Sequence, residues 1–151
     1  MIEDRSLQAN FDNVVHMLLL LFSQPSPQTR ARVVRSLGAL IQADNSLLAV
    51  QQIRGSVIER FNDVSISVRE ETVKLVGAYV VQRNHHVGGS GTQGGKGASE
   101  MLNPSSTSDV AVLDGYLSGL LVRLRDKGVS VRKSVVLILR DVLLHQPSHP
   151  R

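Results

Sequence analysis

Apolar residues recur along this chain at spacings that repeat around two short, similar segments. Counting forward from Arg69, positions +4, +7, +10 and +11 are Val73, Val76, Tyr79 and Val80. The same offsets from Arg132 give Val136, Leu139, Val142 and Leu143. An Asp stands six residues before each Arg. Counting back from Asp63, positions −10, −6, −5 and −2 are Ile53, Val57, Ile58 and Phe61, and from Asp126 they are Tyr116, Leu120, Leu121 and Leu124. Spacings of three and four residues place such side chains on one helical face. A third copy surrounds Arg30, with Val34, Leu37, Leu40 and Ile41 after it and Val14, Leu18, Leu19 and Phe22 before Gln24, which takes the place of the Asp. The pattern predicts helices over residues 10–23, 27–43, 47–62, 67–83, 109–126 and 130–145, arranged as three helix-turn-helix units.

The distance from Arg30 to Arg69, 39 residues, is a normal period for two-helix HEAT-type repeats. The fold class expected is therefore all-α, a HEAT-type α-solenoid. Arg69 to Arg132 is 63 residues, and the surplus coincides with a run rich in Gly and Ser, from His85 through Gly97 and on to Ser108. Such a run buries too little apolar surface to offset chain entropy. The expected organisation is repeats one and two over 10–83, a flexible insertion over 84–109, and repeat three over 110–146. The insertion reads equally as a loop or as retained non-coding sequence. Local signals mark helix starts: Ser26 as N-cap with Pro27 at the first helical position, Ser67 with Glu70 as a capping box, and Ser108 or Asp109 before the fifth helix. Pro147 and Pro150 are expected to stop the sixth.

The repeated Asp and Arg have a structural reading. A turn Asp can accept backbone N–H groups at the start of the following helix. An Arg in that helix can reach the Asp of its own or a neighbouring repeat, bidentately where geometry allows. Asp63, Arg69, Asp126 and Arg132 are expected to form a ladder that sets register.

These segments also resemble a known family. Asp63-Val64-Ser65-Ile66-Ser67-Val68-Arg69-Glu70 followed by Val73-Lys74-Leu75-Val76-Gly77 is similar to the HEAT array of the Nipped-B (adherin) cohesin loaders. So are Arg125-Asp126-Lys127-Gly128-Val129-Ser130-Val131-Arg132-Lys133, with Ile138-Leu139-Arg140-Asp141-Val142 after it, and Thr29-Arg30-Ala31-Arg32 in the first unit. The likeness covers residues 26–146 apart from the insertion, which departs from the family pattern. It implies a small slice of a very large nuclear scaffold protein that promotes loading of the cohesin ring onto chromatin for sister chromatid cohesion. The partners it implies are cohesin ring subunits and DNA. The rival scaffold reading is a condensin-type subunit or a transport receptor.

Composition narrows the alternatives. Aromatic residues are 3% of the 151 and Trp is absent, which suits a helical stack filled by Leu, Val and Ile. With no Cys there is neither a disulfide framework nor a thiolate metal site. The longest apolar run, Met17 to Phe22, falls far short of the roughly 18 residues of a membrane span, so no membrane association is expected. Gly89-x-Gly91-x-x-Gly94 matches a dinucleotide fingerprint only in letters, because that motif needs a preceding strand and an opening helix. His85 and His86 are adjacent and do not face one another on a helix. No nucleophile–base–acid set is present. The expectation is a chain that is not an enzyme and takes no cofactor, metal or small-molecule substrate.

Charge adds one candidate. Lys and Arg number 17 against 13 Asp and Glu, and the excess concentrates late in the chain. Arg123, Arg125, Lys127, Arg132, Lys133 and Arg140 stand there against Asp126 and Asp141. Arg123 and Lys127 have the i, i+4 spacing of one helix face. The set Arg123, Arg125, Lys127, Arg132 and Lys133 is the candidate surface for DNA phosphates or an acidic partner. An ordinary solvated face is the other reading.

Overall fold

In the computed structural model, which describes residues 2–87 and 104–144, the chain is built from six α-helices and two short 3-10 helices, with no strand among the described residues. The helices are α1 (Ile2–Phe22), α2 (Pro27–Ala43), α3 (Gln51–Arg60), α4 (Ile66–Val87), α5 (Pro104–Val122) and α6 (Val129–Leu144). Asn45–Ala49 and Arg123–Arg125 are the 3-10 turns. The all-α, HEAT-type expectation holds. Two compact units divide within α4, one ending at Leu75 and the other starting at Val76.

In the first unit, α1, α2, α3 and the start of α4 bury one side each. Leu37, Leu48, Ile53, Val57 and Val68 are almost fully enclosed, and each is an aliphatic side chain on a helical stripe or in the turn between stripes. The second unit buries Tyr79, Val80, Tyr116, Leu120, Val131 and Val135. Tyr79 and Tyr116 meet edge to face, centroids 5.6 Å apart at 72°, the arrangement their quadrupoles favour. The expected −5 positions, Ile58 and Leu121, are exposed in both repeats. The inward face is therefore narrower than the apolar stripe.

Helix starts follow local chemistry, with two corrections. Ser26 accepts from the Thr29 N–H and Pro27 takes the first helical position. The fourth helix starts at Ile66, so Ser67 lies inside it and the expected capping box with Glu70 does not form. Asp63 instead accepts the Ser65 N–H at 2.9 Å, and Glu70 pairs with Lys74 one turn on, at 2.8 Å. The fifth helix starts at Pro104, upstream of Ser108 and Asp109. Within the segment expected as an insertion, 84–87 and 104–109 are helical. Residues 88–103, with Pro147 and Pro150, lie outside the described residues.

Candidate functional site

The chemistry-bearing residues gather at the turns between paired helices. Each helix that follows such a turn carries its arginine near its start, and the three arginines use the same nitrogen in the same way. Arg30 Nη1 donates to the carbonyls of Gln24 and Pro25 at 2.8 and 2.9 Å. Arg69 Nη1 donates to Asp63 O and Val64 O at 2.7 and 3.2 Å. Arg132 Nη1 donates to Asp126 O and Lys127 O at 2.6 and 3.2 Å. A helix terminus leaves carbonyls without intrahelical partners, and the planar guanidinium spans two of them in the turn. Through this nitrogen, Arg69 and Arg132 hold the main chain of their own turns, at the backbone carbonyl of the aspartate.

The carboxylates do a second job. Asp63 Oδ1 accepts the Ser65 N–H at 2.9 Å and Asp126 Oδ1 accepts the Gly128 N–H at 2.8 Å. Both therefore order the first residues after the turn. An Arg three residues earlier leans on each: Arg60 Nη1 lies 3.4 Å from Asp63 Oδ2 and Arg123 Nη1 lies 3.2 Å from Asp126 Oδ2.

The inter-repeat rung is made by Arg30. Its Nε and Nη2 each donate to one oxygen of Asp63 at 2.8 Å, a bidentate fork between side chains that are 9% and 3% exposed. Burial raises the Asp63 pKa. The Arg30 bonds, the Ser65 N–H and the charges of Arg30 and Arg60 outweigh it, so the carboxyl stays below its ordinary range. The same bonds to Asp63 hold the Arg30 guanidinium above its usual value. Arg60 adds a donation to Phe22 O at 2.9 Å, so two arginines grip the first repeat's turn.

Sequence reasoning placed Asp63, Arg69, Asp126 and Arg132 at these turns and missed Arg30 and Arg60 as members of the ladder. A signal for Arg60 was present: Arg60-x-x-Asp63 recurs as Arg123-x-x-Asp126.

The basic candidates divide into two groups. Arg123 and Lys127 do not share a helix face, because α5 stops at Val122, residues Arg123–Arg125 form a 3-10 turn, and Asp126 is extended. Arg123 and Arg132 are half-buried and engaged with the Asp126 turn. Arg125, Lys127 and Lys133 reach further into solvent. Arg140 pairs with its neighbour Asp141 at 2.6 Å. Among the described residues there is no group of His, Cys, Asp or Glu suited to holding a metal ion, and no helix long and apolar enough to cross a membrane.

The family described as the HEAT repeat associated with sister chromatid cohesion matches residues 35–76, from α2 through the Asp63 turn into α4. The Nipped-B protein of Drosophila melanogaster is 30% identical over 143 residues, 95% of this chain and 6% of the fly protein. The chain is homologous to a region of the Nipped-B proteins. Nipped-B-like protein of Homo sapiens is 27% identical over 147 residues, 97% of this chain and 4% of the human protein. Nipped-B-like protein scc-2 of Caenorhabditis elegans is 25% identical over 141 residues, 93% of this chain and 5% of the worm protein. The likeness to Nipped-B covers the helix pairs on both sides of residues 88–103, while the chain spans only a small fraction of these relatives' lengths.

Proposed function

We propose that this chain is a non-enzymatic scaffold region of a nuclear cohesin loader, which promotes loading of the cohesin ring onto chromatin for sister chromatid cohesion. The observation that carries the reading is alignment with Nipped-B proteins over nearly the whole chain, joined to the cohesion-associated repeat at 35–76. The chemistry of the turns fits a scaffold. Every strongly placed Arg and Asp described above is spent on main-chain carbonyls, N–H groups or one another, as register-setting contacts in a helical array require. The partners proposed are cohesin ring subunits and DNA. DNA contact is assigned to Arg125, Lys127 and Lys133, supported from the half-buried Arg123 and Arg132. Such a surface engages phosphates by charge and carries no base readout.

The test is affinity purification of the tagged full-length protein from nuclear extract. Co-recovery of cohesin ring subunits is the expected result. Recovery of condensin subunits or transport cargo in their place would overturn the assignment.

A further inference from the structure

The three helix pairs carry the same apolar positions, yet these are covered unequally. Four and eleven residues after the repeat arginine, Val34 and Ile41 on α2 are buried, and so are Val73 and Val80 on α4, at 0% and 2% exposure. Their equivalents on α6, Val136 and Leu143, are 55% and 69% exposed. Seven residues apart, they lie on one side of that helix two turns from each other. An apolar position filled in all three repeats and enclosed in two is a packing position whose neighbour is supplied from elsewhere.

The arginine on the same helix differs in parallel. Arg30 places Nη1 on its own turn and gives Nε and Nη2 to the carboxylate of the following repeat. Arg132 repeats the first half of this arrangement, with Nη1 on Asp126 O and Lys127 O. Its Nε and Nη2 edge meets no carboxylate among the described residues. That edge is held in place by the turn and has the fork geometry that carboxylates fit.

We infer that the α6 surface formed by Arg132, Val136 and Leu143 is a docking face for one further helix pair of HEAT type that carries an aspartate in its turn. The carboxylate would sit on the Nε–Nη2 edge of Arg132 as Asp63 sits on Arg30, and apolar side chains of the incoming pair would cover Val136 and Leu143. The positive charges of Lys127 and Lys133 beside Arg132 favour an acidic turn. A second copy of this chain placed head to tail fits poorly, because its first turn offers the neutral Gln24 where the aspartate is needed. The inference rests on comparing repeats within this chain and stands apart from the loader assignment. It also moves Arg132 from the nucleic-acid candidates to a protein-facing role.

The test extends the chain through Leu144 with a second copy of residues 44–83, which brings the Asp63 turn. α6 amide exchange is then compared with the parent. Docking should slow α6 exchange by about tenfold or more, the effect of roughly 1.4 kcal/mol. Asp63→Asn placed only in the appended copy, or Arg132→Ala, should each remove most of that gain, and together they should remove little more. Arg132→Ala in the unextended parent sets the baseline for removing the turn's own hydrogen bonds. Parent-like α6 exchange in the extended chain would overturn the proposal. So would equal protection from an appended copy of residues 10–43, which carries Gln24, or from a DNA duplex added to the parent.

Discussion

Removing the Asp63 carboxylate tests the ladder at its best-defined rung. Asp63→Ala deletes two bonds of 2.8 Å from Arg30 and the 2.9 Å bond from the Ser65 N–H. It leaves a guanidinium that is 9% exposed with only its Nη1 bonds to Gln24 and Pro25. Removing one partner of a buried pair costs about 3–5 kcal/mol, mostly through the charge left behind. The retained carbonyl bonds place this case at the lower end, and loss of the N–H acceptor adds about 1 kcal/mol. Asp63→Asn keeps an oxygen for Ser65 and one neutral acceptor for Arg30, so its cost should be near 1.5–3 kcal/mol. Replacing both partners, as Arg30→Met with Asp63→Leu, should cost less than the sum of the singles, because no charge is stranded. The sign with pH follows from the lowered Asp63 pKa. The carboxylate's contribution is complete above its unfolded pKa of about 3.9 and is lost as pH falls through the lower folded value. Urea unfolding followed by far-ultraviolet circular dichroism at pH 7 and pH 3 reads both effects. The parent should lose more stability than Asp63→Asn on acidification. Equal losses, or strictly additive singles, would refute the rung.

Three further outcomes are expected. Gly38 and Gly77 occupy the same position eight residues after their repeat arginines, yet a Cβ on Gly38 would meet only Leu75 Cδ1 at 3.9 Å while one on Gly77 would collide with the side chain of Ile138. Gly38→Ala should therefore stabilise, by up to about 1 kcal/mol of helix propensity, and Gly77→Ala should lose about 1–3 kcal/mol to overpacking, with thermal melts checking the opposite signs. Ser26→Ala should cost about 1 kcal/mol by removing the side-chain acceptor for the Thr29 N–H, read from the urea midpoint. Charge reversal at Arg125, Lys127 and Lys133 together should lower the salt slope of duplex binding by about 0.9 for each phosphate no longer neutralised. The melting temperature should stay unchanged, and an unchanged slope would return these residues to a solvated face.

Most of the helical architecture could be read from residue spacing, because Val34, Leu37, Ile41, Val73, Val76 and Tyr79 obey a period that backbone geometry imposes. The turns could be read only in part. Asp63 and Asp126 stood out by repetition, but the partner of Asp63 lies 33 residues earlier, in the repeat whose own aspartate is replaced by Gln24. Nothing local to Arg30 announces that pairing. Arg123 and Lys127 have helical spacing in the sequence. The 3-10 turn and extended Asp126 interrupt the face, since the aspartate takes the Gly128 N–H and ends the regular backbone. Ser67 gave a capping signal that lost to Asp63, whose carboxylate reaches the chain two residues earlier. Val136 and Leu143 are apolar like their buried equivalents, so their exposure is a property of what stands beside α6 and could not be read from the period.

The assignment to cohesin loading is tested most directly by measuring chromatin-bound cohesin after acute removal of this protein from cells. The account predicts that salt-resistant cohesin on chromatin falls while the total amount of ring subunits stays constant, and that re-expression restores it. Unchanged chromatin-bound cohesin after complete removal would contradict the account.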